Sequence, residues 1–84
     1  MRELFIGERV YVRLTPGQAF AGVTIAGQVI GKQHMSSTPP ELGRYLFSFP
    51  LGSLVYIIQP TLWNDEPGDY SSIRLGEHDI EFVT

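Results

Sequence analysis

The chain has 84 residues, 43% of them apolar, with no cysteine and with nine acidic against six basic side chains for a net charge of −3. The length fits a single domain, residues 1–84, with a small core, and the missing cysteines remove disulfides, thiolate metal sites and cysteine nucleophiles together. The acidic balance has the wrong sign for a protein that neutralises phosphates, so nucleic acid is disfavoured as a partner. No apolar run approaches the roughly 20 residues of a membrane helix, and Met1-Arg2-Glu3-Leu4-Phe5-Ile6 lacks the long apolar core of a secretory signal. No membrane association is expected, and the expected compartment is the cytoplasm.

In chain order, Gly7-Glu8-Arg9-Val10-Tyr11-Val12-Arg13-Leu14 alternates strictly and predicts a half-buried strand. Val10, Val12 and Leu14 then face inward and Arg9, Tyr11 and Arg13 outward. Thr15-Pro16-Gly17-Gln18 reads as a turn, because proline presets φ and glycine accepts a positive one. Residues 22–32 form a β-branched run with Gly27 near its middle, which predicts a second strand that bulges or bends there.

The prolines in Ser36-Ser37-Thr38-Pro39-Pro40 make residues 33–42 a loop. Arg44-Tyr45-Leu46-Phe47-Ser48-Phe49 reads as a third strand, with Tyr45, Phe47 and Phe49 on one face. Pro50-Leu51-Gly52 turns the chain into a fourth strand, Ser53-Leu54-Val55-Tyr56-Ile57-Ile58-Gln59. That strand is apolar on both sides, so both faces should be covered, the second by another subunit. Residues 60–70 form a polar, acidic loop carrying the single tryptophan, Trp63. Residues 71–75 have the pattern of a short strand, Gly76 breaks it, and Glu77-His78-Asp79 suits one helical turn before the closing strand at 80–83.

The Gly7-Glu8-Arg9-Val10 entry, the bent second strand and the terminal turn and strand together resemble an SH3-like five-stranded small β-barrel. The expected fold class is therefore all-β, with a short helical turn before the last strand. Gly7-Glu8-Arg9-Val10 followed by Gly27-Gln28-Val29-Ile30-Gly31 also resembles the plasmid-type (type II) dihydrofolate reductases, tetramers of small barrels that bind folate and NADPH in a central pore. Their pore is lined by a Val-Gln-Ile-Tyr segment, where this chain reads Leu54-Val55-Tyr56-Ile57-Ile58-Gln59. No catalytic residue carries over, and the resemblance implies oligomerisation sooner than reductase activity.

Chemistry-bearing motifs are sparse. His34 and His78 stand in no ligand-spaced pattern, and a cation site joining His78 to Asp65, Glu66 and Asp69 fits no known ion loop, so these acids read as a solvated rim. His34 has no neighbour that would orient it as a general base. The serines lack a Gly-x-Ser-x-Gly elbow, and Gly22-x4-Gly27 lacks the Gly-Lys-Ser/Thr of a phosphate cradle. No catalytic residue, metal ligand or cofactor is assigned.

Arg9, Tyr11, Arg13, Arg44 and Tyr45 form the candidate ligand-binding set. Arginine and tyrosine sharing an outer face could hold an anion or single-stranded nucleic acid by charge and stacking together, although solvated arginines opposite acidic residues describe the same pattern. A groove for a proline-rich peptide lacks the acidic-aromatic stretches of peptide-binding SH3 domains. The expectation is a non-catalytic binding module that self-associates through 54–58 and the apolar Leu4-Phe5-Ile6. Its other partners would be a small molecule or another protein. The alternatives are a small-ligand enzyme like the type II reductases and a single-strand binder.

Overall fold

The computed structural model describes residues 3–15, 21–34 and 52–83, and these residues are all-β, with six strands and no helix. The strands are β1 (Arg9–Leu14), β2 (Thr24–His34), β3 (Leu54–Trp63), β4 (Glu66–Pro67), β5 (Ile73–Gly76) and β6 (Ile80–Phe82). One antiparallel sheet runs β4-β3-β2-β1-β6, with β5 on the same edge of β3 as β4, and it does not close on itself among the described residues. The expected third strand at 44–49 and the prolines at 39 and 40 lie outside the described residues.

β1 follows its pattern: Val10, Val12 and Leu14 are buried while Arg9, Tyr11 and Arg13 are exposed. Opposite Val12 stand Ile25 of β2 and Phe82 of β6, so both neighbouring strands bring apolar residues to the same inner face. Val29 of β2, Leu54, Tyr56 and Ile58 of β3, Ile73 and Leu75 of β5, and Ile80 extend that core, with Val23, Trp63 and Phe82 at its rim. Leu4 joins it with 0% exposure and donates its N–H to the Tyr56 hydroxyl at 3.0 Å.

β2 is irregular against β3 at Gly27, where its glycine predicts a bulge or bend, and the extra residue there is Thr61 of β3. The register slips between Ala26 and Gly27, and a Cβ on Gly27 would stand 2.9 Å from the Pro60 Cα and closer still to the Gln59 carbonyl oxygen. Only glycine lets the two backbones approach this far. A second slip at Val29/Gly31 leaves Ile30 as the extra residue of a bulge.

β3 corrects two readings. It continues through Pro60 to Trp63 instead of ending at Gln59, because the far edge of β3 changes partner there, from β5 at Val55–Ile58 to β4 at Leu62–Trp63. At that break proline's missing N–H costs no ladder bond, and the Gln59 side-chain amide reaches the Tyr70 carbonyl. Val55, on the face away from the core cluster, has 0% exposure within the single chain. The second face of β3 is therefore already covered there without another subunit. In place of a helical turn, Gly76 to Asp79 form a turn closed by the Asp79 N–H on the Gly76 carbonyl at 3.0 Å.

Candidate functional site

Arg9, Tyr11 and Arg13 share the outer face of β1, opposite Gln28, Ala26 and Thr24 of β2. The same face adds an acid on each side. The Tyr11 hydroxyl donates to Asp65 Oδ1 at 2.7 Å, and Arg13 Nη1 lies 3.5 Å from Glu81 Oε1 of β6. Both members of the second pair are about half exposed, so water screens most of its attraction. Arg9 makes no ion pair among the described residues. Arg44 and Tyr45, the other members of the predicted set, lie outside them. The three described residues do come together, on a face of mixed charge.

Asp65 reaches Tyr11 because residues 63–66 form a two-residue hairpin where the sequence reads as an open acidic loop. Asn64 and Asp65 have φ of 53° and 68°, the left-handed pair that a tight antiparallel turn demands. Asparagine and aspartate are the non-glycine residues that take this conformation at least cost. The Asn64 N–H bonds the Thr24 carbonyl at 2.7 Å and docks the hairpin on β2. Beside it the Thr24 hydroxyl is buried without a partner. Trp63 and Tyr70 stack at 6.0 Å between centroids, tilted by 33°, with the Tyr70 hydroxyl on the Glu66 carbonyl.

Ahead of β1, residues 5–8 form a turn in which the Glu8 N–H meets the Phe5 carbonyl at 3.0 Å and Gly7 has φ +93°. Gly7 donates to the Val29 carbonyl while Glu8 accepts from the Val29 N–H, so two residues face one. With glycine first and left-handed, this is a G1 bulge. Glu8 Oε1 accepts the Phe5 N–H, and Gln28 Nε2 donates to the Gly7 carbonyl, each at 3.0 Å.

The apolar N-terminal run is thereby divided. Leu4 points into the core, whereas Phe5 and Ile6 are 66% and 63% exposed, and Ile30 on the adjoining β2 bulge is 49% exposed. Sequence reasoning missed Ile30: it alternates outward with the buried Val29, but its place beside the turn depends on the backbone bonds of Gly7 and Glu8 to Val29. Lys32 Nζ sits 2.6 Å from Glu3 Oε2 and 5.6 Å from the Phe5 ring centroid. That lysine, by hydrogen bond and by charge, holds the Glu3 carboxyl below the usual range.

At the β5–β6 turn His78 Nε2 lies 3.4 Å from Glu77 Oε1, and burial pushes the Asp79 carboxyl up against the opposing Gly76 hydrogen bond and His78 charge. Among the described residues no group of three or more histidines and carboxylates is arranged to hold a metal ion, and no helix is long and apolar enough to cross a membrane. Compared with protein-family models, curated proteins and solved structures, the chain matches none.

Proposed function

We propose that this chain is a non-catalytic interaction module that binds a second copy of itself, built on a partly open small barrel of the SH3-like kind. The barrel reading is supported by the strand order β6-β1-β2-β3-β5, in which the last strand returns beside the first and the long β2, whose register against β3 slips twice, joins the two halves. Strong bending at bulges is how a small sheet curls toward closure.

The observation that carries self-association is the turn at 5–8. Its backbone is fixed by hydrogen bonds within the turn and to β2, while Phe5 and Ile6 stand outward beside Ile30. Single exposed apolar residues are ordinary, but adjacent large ones on a rigid support mark a contact surface. The non-catalytic reading is supported by the outer face, where Tyr11 and Arg13 engage Asp65 and Glu81 in place of standing poised toward a cleft.

Light scattering across roughly 10 to 300 μM, where a small interface reports its occupancy, is the test. The expected mass rises toward twice the 9.4 kDa of one chain; a constant monomer overturns the reading. Thermal melts with folate or NADPH should leave the midpoint unchanged, since only a ligand of the native state raises it.

A further inference from the structure

We infer that Lys32 is a positioning residue of the self-association surface: its ammonium, balanced by Glu3, holds the Phe5 ring for a second copy of the chain, and the hold tightens when that copy covers it. The inference rests on the interaction-module reading and adds to it the residue that tunes the contact.

Tyr56 brings the parts together. Lys32 of β2 stands directly opposite it on β3, so the two side chains share the core side of the sheet. The Tyr56 hydroxyl also accepts the Leu4 N–H at 3.0 Å, which brings Glu3 and Phe5, the neighbours of Leu4, to the end of the Lys32 side chain. Lys32 Nζ lies 2.6 Å from Glu3 Oε2 and 5.6 Å from the Phe5 ring centroid, within reach of a cation–π contact. The lysine side chain is only 23% exposed, whereas Phe5 is 66% exposed. Lys32 is thus mostly covered by its own chain, and the ring it faces still has most of its surface in water.

The Phe5 backbone is fixed separately, its N–H on Glu8 Oε1 and its carbonyl on the Glu8 N–H, each at 3.0 Å. What is left to set is the ring, and Lys32 is the charged group that meets it among the described residues. A cation facing an aromatic ring gains little in water, which competes for the ammonium, and gains more once both are desolvated. A second copy covering Phe5 removes that water. Because Glu3 balances the charge, covering Lys32 leaves no unpaired cation behind. The coupling is reciprocal, so whatever the cation–ring contact gains from association, association gains from the contact.

Sedimentation equilibrium into the millimolar range compares wild type, Lys32→Gln, Lys32→Arg, Phe5→Leu and the double variant Lys32→Gln/Phe5→Leu. Glutamine can still donate to Glu3 but carries no charge, arginine keeps the charge, and leucine keeps an apolar side chain without a ring. Each chain is checked for the wild-type β-sheet circular dichroism spectrum, with Lys32→Met replacing Lys32→Gln if the latter loses it. Lys32→Gln is expected to weaken association by at least about fivefold and Lys32→Arg by less than about twofold. In the Phe5→Leu chain, Lys32→Gln should change the dissociation constant by less than about twofold, since the ring it acts on is gone.

If wild type dimerises and Lys32→Gln has the same effect with and without the ring, or no effect at all, Lys32 does not position Phe5 and the inference is wrong while the module reading stands. If Phe5→Leu stays monomeric throughout, Phe5→Trp takes its place. The loss on Lys32→Gln must then exceed that beside Phe5, because tryptophan offers a cation the stronger face, and a loss no larger overturns the inference. A monomeric wild type overturns the module reading itself.

Discussion

Leu4 and Tyr56, fifty-two residues apart, are joined by a hydrogen bond from the Leu4 N–H to the Tyr56 hydroxyl at 3.0 Å, with both side chains essentially buried. The phenol lets a polar backbone group enter the core beside the leucine it belongs to, and so fixes where the segment ahead of β1 crosses the end of β3. Phe5 and Ile6 follow directly, which makes the outward turn dependent on an inward anchor.

Tyr56→Phe removes the only acceptor shown for that N–H while keeping the ring. An unsatisfied buried donor costs about 1 to 3 kcal/mol, whereas Leu4→Ala deletes a buried side chain at about 2 to 5 kcal/mol. Both are read by urea denaturation. The double variant should lose less than the sum, because each change releases the same segment.

Gly27→Ala should be the most damaging glycine substitution among the described strands. The new methyl meets the Gln59 carbonyl and the Pro60 backbone, neither of which is the yielding tip of a side chain. A forced backbone shift costs typically 1 to 3 kcal/mol and sometimes more. Gly22→Ala is the control: φ is +85° but nothing lies within 4 Å of the added methyl, so only the conformational cost of about 1 kcal/mol applies. Equal losses in the two variants would contradict the close approach of β2 and β3.

How much of this was legible follows from which interactions are local. The faces of β1 could be read from alternation alone, since a period of two fixes them before any partner is known. The irregularity at Gly27 was also readable, because a glycine in the middle of a β-branched run has few other uses. The extension of β3 through Pro60 was hidden, since whether proline interrupts a strand depends on what its other edge is doing. The 63–66 hairpin carried a weak signal in Asn64-Asp65, short of the Asn-Gly that advertises such turns.

The candidate face shows the same division. Arg9, Tyr11 and Arg13 were correctly set outward by parity, but Asp65 and Glu81 lie 54 and 68 residues from the groups they engage. No spacing rule reaches that far. The split between Leu4 and Phe5 likewise depends on Tyr56, and the place of Ile30 beside the turn on the bonds of Gly7 and Glu8 to Val29.

Two carboxyls give opposite pH signatures. The Glu3 carboxyl is lowered in the folded state by Lys32, so its contribution is present above the ordinary carboxylate range and disappears as pH falls through the lowered value. The Asp79 carboxyl is raised by burial, so its contribution is full below the ordinary aspartate value and is lost as pH rises through the raised one. Denaturation from pH 2 to 7 should show Glu3→Gln losing ground to wild type only at the upper end. Asp79→Asn keeps an acceptor oxygen for the Gly76 bond and should gain on wild type over that same upper range. Parallel curves for all three proteins would refute both assignments.

Tyr11→Phe tests whether the candidate face is held by the Tyr11–Asp65 bond. The phenol is 36% exposed, so deleting its hydroxyl should cost no more than about 1 kcal/mol. Asp65→Gly has two opposed effects: it removes the same bond and relieves the left-handed strain of a non-glycine residue at φ 68°. In wild type these nearly cancel. In the Tyr11→Phe background only the relief remains, and Asp65→Gly should then stabilise by roughly 0.5 to 1 kcal/mol. The sign of that second step is the decisive measurement. A destabilising Asp65→Gly in the Tyr11→Phe chain would mean that the aspartate holds the hairpin through a contact other than Tyr11, and the β1 face would lose its link to the β3–β4 turn.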